Sequence, residues 1–164
     1  MALVKLNSYY PDSKESVFSE YDITNFEVIA KRDEKVGSVA SVLVDEETGH
    51  IRYLVVDTGS WVFGKKVLLP IGLGLIVYMD RHVYVKGLTK EQVKALPEYS
   101  DDIKVDPHYE EQVRRVLRPL VAEATTAQVD NPATYDLDRE PYFYEIKNEQ
   151  LKAVQKQLVT KKNH

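Results

Sequence analysis

Apolar and polar residues alternate over short distances between residues 21 and 99, in a pattern typical of β-strands. The run VGSVASVLV at 36–44 is rich in β-branched residues, and in HIRYLVVDT at 50–58 apolar residues recur at alternate positions. The intervening DEETG places Gly49 where a short hairpin loop favours positive φ. These two runs predict an antiparallel hairpin.

Three more short apolar runs follow, KKVLLP at 65–70, GLIVYM at 74–79 and HVYVKG at 82–87. Asp80-Arg81, between the last two runs, predicts a tight turn. Five or six short strands without a helix between them predict a small all-β barrel or sandwich. We therefore expect a fold that is mainly β in this region and α+β overall.

Helical signals begin where the strand pattern ends. Thr89 is placed as an N-cap and Gln92 completes a capping box, while Pro97 ends the predicted helix after two turns. Asp106 followed by Pro107 predicts the start of a second helix, since an acidic cap and a proline in the first turn are both favoured there.

The second predicted helix carries one apolar stripe, formed by Val113, Val116, Leu117 and Leu120. Pro119 predicts that this helix ends or kinks near Leu117. A last amphipathic segment follows at 146–159 and predicts a further helix.

The chain divides by pattern into three regions. The first is polar, with Pro11 and paired tyrosines, and predicts an arm with little structure of its own. The second holds the strands and the first short helix, and the third is helical. The regions are an N-terminal arm at 1–20, a β-barrel domain at 21–99 and a helical C-terminal extension at 100–164.

The stretch GSWVFGKK at 59–66 nearly matches the nucleotide-binding pattern G-x-x-x-x-G-K-[ST]. That motif needs a hydroxyl after the lysine to hold magnesium, and a helix whose N-terminus faces the phosphates. Here Lys66 occupies the hydroxyl position, and Val67 and Pro70 favour a strand over a helix. We therefore interpret the stretch as a wide hairpin loop, in which Gly59 and Gly64 allow the chain to turn.

Two other polar clusters lie at predicted turns, DEETGH at 45–50 and DRH at 80–82. Adjacent carboxylates across a hairpin turn splay apart, which disfavours a shared metal ion. No serine lies in a G-x-S-x-G elbow, and the chain has no cysteine to act as a nucleophile. The sequence therefore predicts a protein that is not an enzyme, with no catalytic residue, no cofactor and no metal site.

The net charge of −4 at pH 7 is spread thinly and forms no basic patch, so nucleic acid is not an expected partner. The longest apolar run, VLLPIGLGLIVYM, is interrupted by Pro70 and two glycines, and it is shorter than the ~20 residues that span a bilayer. Hydrophobic residues make up 43% of the chain and charged residues 29%. We expect a cytoplasmic protein without membrane insertion, for which peripheral membrane association stays open.

Aromatic residues are the remaining candidates for function. Trp61 and Phe63 lie in the predicted hairpin loop, and Tyr142, Phe143 and Tyr144 lie towards the C-terminus. Exposed aromatic side chains bury a large area with few rotatable bonds and therefore favour interfaces. We take these five as candidate interaction residues. The alternative is that the loop residues seal the barrel and that the C-terminal three cover it within the same chain.

The order of landmarks from DITNFEVIAKRDEKVGSVASVLV to VYVKGLTKEQVKALPEY resembles a PRC-barrel domain. The resemblance covers about half of the chain. Its landmarks are Gly37-Ser38-Val39, the acidic turn at 45–49, the strand at 53–57, the aromatic glycine-rich loop, Leu69-Pro70 and the closing segment 88–99.

This resemblance implies a small β-barrel, closed by one short helix, that serves as an adaptor. Similar domains occur in the photosynthetic reaction-centre H subunit, in a ribosome maturation factor and in stand-alone bacterial and cyanobacterial proteins, some linked to stress responses. We therefore expect a non-enzymatic interaction module with a link to stress, which binds an unknown protein partner and forms a homodimer or other homo-oligomer. The alternative is an accessory protein like the H subunit, which tunes proton transfer beside a photosynthetic redox complex.

Overall fold

A computed structural model describes residues 2–10, 20–62, 64–121 and 132–162. Within these ranges seven strands form one sheet in the order β5-β4-β3-β2-β7-β6, and β1 pairs with β3 outside this path. The strands are β1 (Leu3–Lys5), β2 (Glu27–Ile29), β3 (Lys35–Asp45), β4 (Ile51–Asp57), β5 (Lys66–Pro70), β6 (Leu75–Val77) and β7 (His82–Tyr84). The α-helices are α1 (Leu6–Tyr9), α2 (Lys90–Ala95), α3 (Pro107–Leu117) and α4 (Glu149–Lys162). The predicted α+β class is confirmed.

The predicted hairpin is formed by β3 and β4, which run antiparallel with Val42 opposite Leu54. Gly49 closes its turn at a φ of 80°, and the Gly49 N–H donates to the carbonyl of Asp45 at 2.8 Å. The second predicted turn joins β6 and β7, with Arg81 at a φ of 56°. Both hairpins therefore follow the local sequence signals.

The sheet curves around an apolar interior that α2 closes. Side chains from four strands, from the segment after β7 and from α2 surround a space of about 10 Å³. That space is at the lower limit for one water molecule, so side chains fill the barrel and leave no ligand chamber there. The surrounding residues are Val28, Val36, Val56, Val67, Leu69, Leu88, Val93 and Leu96.

The helices begin and end at the predicted signals. Thr89 caps α2, and Gln92 completes the capping box in both directions. The side chain of Asp106 caps α3 by accepting from the N–H of Tyr109 at 2.8 Å. The α3 helix ends at Leu117, and a 3₁₀ turn that contains Pro119 follows it. No helix in the described part of the chain combines the length and apolarity that crossing a bilayer requires.

The N-terminal residues are more ordered than the sequence predicts. Leu3–Lys5 form β1, which pairs antiparallel with the end of β3 in the register Leu3 opposite Asp45. The hydroxyl of Tyr9 donates to the carbonyl of Leu158 in α4 at 3.3 Å. Pairing with a distant strand thus orders residues 3–9, a segment that the sequence predicts as an arm with little structure of its own.

The residues after α3 pack onto the barrel through the same hydrophobic cluster that fills the sheet. A turn at Pro141–Phe143 lies against Gly72, where an added Cβ would fall 2.2 Å from the carbonyl oxygen of Tyr142. Only glycine permits this approach of two backbones. The C-terminal members of the cluster are Val113, Leu117, Phe143, Tyr144, Ile146, Leu151, Val154 and Leu158.

Candidate functional site

The described residues from Gly59 to Lys65 lie in a loop between the antiparallel strands β4 and β5, as predicted. Gly59 and Gly64 have φ values of 68° and 72°, and a 3₁₀ turn covers Gly59–Val62. The chain then continues directly into β5 at Lys66, so no helix N-terminus stands where a bound phosphate would need one. This geometry excludes the nucleotide-binding interpretation of the motif.

Trp61 is half-buried and fixed to the barrel. Its indole Nε1 donates to the carbonyl oxygen of Val36 at 2.9 Å, and the ammonium of Lys90 lies 5.4 Å from the ring centroid. A groove of about 330 Å³ runs beside the ring between the start of β3 and the residues that follow β4. Trp61 thus combines a fixed orientation with a partly exposed face. Phe63, its predicted companion, lies outside the described residues.

The C-terminal aromatic residues lie at a different place, against the middle of β4. Phe143 is 0% exposed and Tyr144 is 6% exposed, whereas Tyr142 is half-buried. The hydroxyls of Tyr144 and Tyr53 are 2.7 Å apart, and their rings meet edge to face at 5.6 Å. Phe143 and Tyr144 therefore cover the barrel of their own chain, which is the alternative to an interface with a partner.

Beneath these aromatic residues lies a buried ion network, formed by Glu111, Arg114, Arg118 and Glu140. Arg118 bonds both carboxylates in a two-pronged manner, at 2.6 and 2.9 Å to Glu111 and at 2.9 and 2.8 Å to Glu140. Arg114 donates to Glu111 at 3.2 Å and to the hydroxyl of Tyr144 at 3.0 Å. Every charge in this network therefore faces an opposite charge at hydrogen-bond distance.

The network shifts the acidity of its carboxyl groups. Burial by itself would raise the pKa of Glu140, but hydrogen bonds from Arg118, Tyr142 and Tyr135 outweigh it and lower the pKa to about 2. The neighbouring Glu110 differs, because burial raises its pKa more than its hydrogen bond from Tyr53 lowers it. The ion network is thus ionised at neutral pH, and Glu110 is the group beside it that resists ionisation.

A third polar region contains Arg52, on β4. Its side chain is 11% exposed, and its nearest carboxylate oxygen, on Asp45, is 3.9 Å from Nη2. Nη2 also lies 3.3 Å from Nδ1 of His50, and the buried Nε has no hydrogen-bond partner. Burial lowers the pKa of Arg52, since the nearby carboxylate compensates only part of the lost hydration. Arg52 opens onto a cleft of about 860 Å³.

These arrangements differ in what they can do chemically. The ion network uses its donors and acceptors internally, so its role is to hold α3 and the C-terminal residues together. Trp61 offers an apolar face, and Arg52 offers a charge with incomplete compensation. The structure does not bring Trp61 together with residues 142–144, because Trp61 packs at Val36 whereas Tyr144 packs at Tyr53.

Neither the ion network nor a role for Arg52 is predicted from the sequence. One signal for the network was present: Glu111, Arg114 and Arg118 are spaced i, i+3 and i+7, which places them on one helix face. The partner Glu140 is remote in sequence, so spacing could not have identified it. Arg52 occupies a polar position in an alternating strand, which favours a solvent-facing assignment.

Comparison with known proteins supports the fold. Residues 15–92 match the model of the PRC-barrel domain family. Over 119 residues, the chain is 35% identical to an uncharacterized protein of Deinococcus radiodurans, an alignment that covers 71% of this chain. The chain spans 43% of that protein's length. Together with the seven-stranded sheet that α2 closes, these matches show that residues 15–92 of the chain belong to the PRC-barrel domain family.

Proposed function

We propose that this chain is a non-enzymatic interaction module that associates with a second copy of itself through the surface around Trp61. The observation that carries the proposal is the placement of Trp61. The bond to Val36 holds its ring in place, and the side chain is only partly buried beside a groove. Tryptophan is enriched among residues that dominate binding energy. A ring that is already fixed loses little conformational freedom on binding, so more of its burial energy goes into affinity.

The charged residues of the chain support a non-enzymatic role. Glu111, Arg114, Arg118 and Glu140 bond to one another, and this leaves no convergent acid–base pair among them for a substrate. The same network joins α3 to Glu140 and Tyr144, and Tyr144 in turn contacts Tyr53 on β4.

The test is the mass of the purified chain in solution. Trp61→Ala should weaken self-association by about 2 kcal/mol or more, which is roughly a 30-fold higher dissociation constant. Met79→Ala is the matched control, because Met79 is 97% exposed and its removal deletes an apolar side chain elsewhere on the surface. Sedimentation velocity across a concentration series measures the constant, and circular dichroism checks that each variant is folded. A folded Trp61→Ala variant with the wild-type mass at every concentration contradicts the proposal.

We also propose that the interaction module acts in a stress response. This rests on the resemblance to stand-alone bacterial proteins with PRC-barrel domains, some of which are linked to stress. Its test is the amount of the protein in cells before and after osmotic or oxidative stress. A rise in the amount, with a growth defect in a Trp61→Ala strain under stress, supports the role. An unchanged amount and normal growth contradict it.

A second candidate is the accessory role in photosynthetic proton transfer, and one surface feature favours it. Nε2 of His82 lies 3.3 Å from Glu27, Nδ1 lies 3.0 Å from the hydroxyl of Tyr84, and that hydroxyl donates to Asp80 at 3.0 Å. Four titratable groups thus form a hydrogen-bonded chain on the strands β2 and β7. Co-sedimentation with photosynthetic membranes that His82→Ala abolishes supports this role, whereas a protein that stays in the supernatant contradicts it.

A further inference from the structure

The cleft beside Arg52, called here the Arg52 cleft, has three walls. Residues of β4 and the preceding turn form one wall, α4 forms the second, and the 3₁₀ turns between residues 135 and 141 form the third. Its volume of about 860 Å³ lies within the range of small-molecule sites. The filled barrel interior offers no comparable space. The cleft lies apart from Trp61 and is independent of the proposed self-association.

Arg52 supplies an incompletely compensated positive charge to this cleft. Of its three guanidinium nitrogens, Nη2 contacts His50 and Asp45, and Nε has no partner. Within the described part of the chain, Nη1 donates to no acceptor. Nε is enclosed by protein, so a ligand in the cleft would accept from Nη1. Because the Arg52 side chain is only 11% exposed, such a ligand would replace hydration that the fold has reduced.

The neighbours of Arg52 also present hydrogen-bond donors. A guanidinium can only donate, so Nδ1 of His50 accepts, and the proton of the neutral imidazole is on Nε2. Burial and the charge of Arg52 lower the pKa of His50, which favours this neutral form. The Oε1 atom of Gln155 accepts from the N–H of Ile51. The amide NH₂ of Gln155 therefore remains available as a hydrogen-bond donor. This side of the cleft therefore suits an acceptor such as a carboxylate.

The wall formed by the 3₁₀ turns is acidic, since it contains Asp136 and Asp138. Glu145 also lines the cleft, and its two cationic lining residues are Arg52 and Lys152. Three carboxylates against two cations, with a neutral histidine, disfavour a doubly charged anion such as phosphate. They favour a ligand that carries a positive group of its own.

Apolar side chains line the same cleft. These are Leu137, Pro141 and Ile146, together with the ring of Tyr144. The guanidinium of Arg52 lies 6.0 Å from the centre of that ring. A ligand with an apolar body and charges at one end would therefore cover hydrocarbon while its charged groups reach the polar walls.

We propose that the Arg52 cleft binds a small zwitterion, a free amino acid with an apolar side chain. Its carboxylate accepts from Arg52, His50 and Gln155, and its ammonium faces Asp136 and Asp138. The apolar side chain lies against Leu137, Pro141 and Ile146. The two charged ends of the ligand match the two sides of the cleft.

Three probes that share one hydrocarbon body separate the parts of this proposal. Leucine carries both charges, 4-methylpentanoate carries only the carboxylate, and 3-methylbutylamine carries only the ammonium. In isothermal titration with the full chain, leucine should bind with a millimolar or lower dissociation constant, and the two singly charged probes at least tenfold more weakly. Amide chemical shifts should move at residues 50–52 and 135–146. Inorganic phosphate serves as the fourth probe and should not compete with leucine.

Variants assign the binding to the named groups. Arg52→Gln should weaken leucine binding at least tenfold, while Arg115→Gln, a change at an arginine that is 64% exposed on α3, should leave it unchanged. Gln155→Glu keeps the oxygen that accepts from Ile51 and replaces the donor amide by a carboxylate oxygen, so it should also abolish binding. This second variant covers the case in which Arg52→Gln fails to fold.

Several outcomes overturn the proposal. Absence of leucine binding at concentrations up to about 10 mM excludes a specific amino-acid site. Equal affinity for leucine and 4-methylpentanoate removes the role of Asp136 and Asp138, and tighter binding of phosphate identifies the cleft as a plain anion site. Wild-type affinity in folded Arg52→Gln and Gln155→Glu variants shows that leucine binds elsewhere.

Discussion

Arg118 and Arg52 are both largely buried arginines, with side chains 13% and 11% exposed, yet their surroundings differ. Arg118 makes four hydrogen bonds to two carboxylates, Glu111 and Glu140. Arg52 has its nearest carboxylate oxygen at 3.9 Å and a buried nitrogen without a partner. At a similar depth, the hydrogen bonds and charge of Arg118 are therefore fully compensated, whereas those of Arg52 are not.

The difference separates charges that hold the fold from charges that are available for binding. A buried ion with all its hydrogen bonds made is costly to disrupt, because removal of one member leaves the others unpaired. A buried ion with bonds missing costs stability in the folded protein, and a ligand can recover that cost. Three measurements test this division.

The largest effect is expected for Arg118→Met. The variant keeps much of the side-chain volume but leaves the carboxylates of Glu111 and Glu140 buried without their main partner. We expect a loss of about 3–5 kcal/mol in the free energy of unfolding, measured by urea denaturation at pH 7. Arg115→Met is the matched control, because Arg115 is 64% exposed and its contact with Glu111 is 4.0 Å long. It should cost less than about 0.5 kcal/mol.

Equal stability of the two methionine variants would contradict the division. It would mean that the carboxylates of the network find water or other partners once Arg118 is gone. In that case the network would fix how α3 packs against the residues around Glu140 and would add little to the free energy of unfolding.

A smaller effect is expected from acidification. The pKa of Glu140 is lowered to about 2 from a reference value of 4.5, so its ionised form stabilises the fold above pH 4.5. This contribution should be lost as the pH falls from about 5 to about 2, by roughly 2–3 kcal/mol. Urea denaturation at pH 7 and in steps down to pH 2.5 measures the change.

The same titration in the Arg118→Met variant shows whether the network causes the effect. Without Arg118, the pKa of Glu140 should rise, and the acid-dependent loss over this range should shrink. Glu110 acts in the opposite direction, since its raised pKa makes its ionised form unfavourable and acid relieves that cost. If the wild-type protein and the Arg118→Met variant lose the same stability on acidification, carboxylates outside the network cause that loss.

The smallest effect on stability is expected for Arg52→Met. The change removes a buried charge whose partners are poor, and it fills the space with hydrocarbon. We expect a gain of at most about 1 kcal/mol in the free energy of unfolding. A loss as large as that of Arg118→Met would show that Arg52 is a structural residue, and the comparison between the two arginines would fail.

Much of the fold could be predicted from the sequence because its signals are local. The hairpin of β3 and β4, the capping box of Thr89 and Gln92, and the cap at Asp106 each depend on residues within a few positions of one another. Strand β1 depends on pairing with residues about forty positions away. Its three residues carry too little pattern to indicate a strand without that partner.

The candidate sites were harder to predict for the same reason. Trp61 stays a prediction, which rests on its residue type and its position in a loop. The burial of Phe143 and Tyr144 depends on the approach of their backbone to Gly72, and the ion network depends on Glu140. Charged residues such as Arg114 are exposed in most proteins, so only the three-dimensional arrangement reveals a side chain that is 1% exposed.

The contact of Tyr53 with Tyr144 and Glu110 has a consequence for how the protein is made. Strand β4 leaves the ribosome long before the residues that cover it, since Glu110 and Tyr144 follow Tyr53 by 57 and 91 positions. Until both have been synthesised, the Tyr53 hydroxyl on a growing chain is open to water and to chaperones. A premature stop after residue 92 would give a product that contains every residue of the matched domain and still lacks this cover. Cellular proteases would meet such a product with Tyr53 on β4 uncovered.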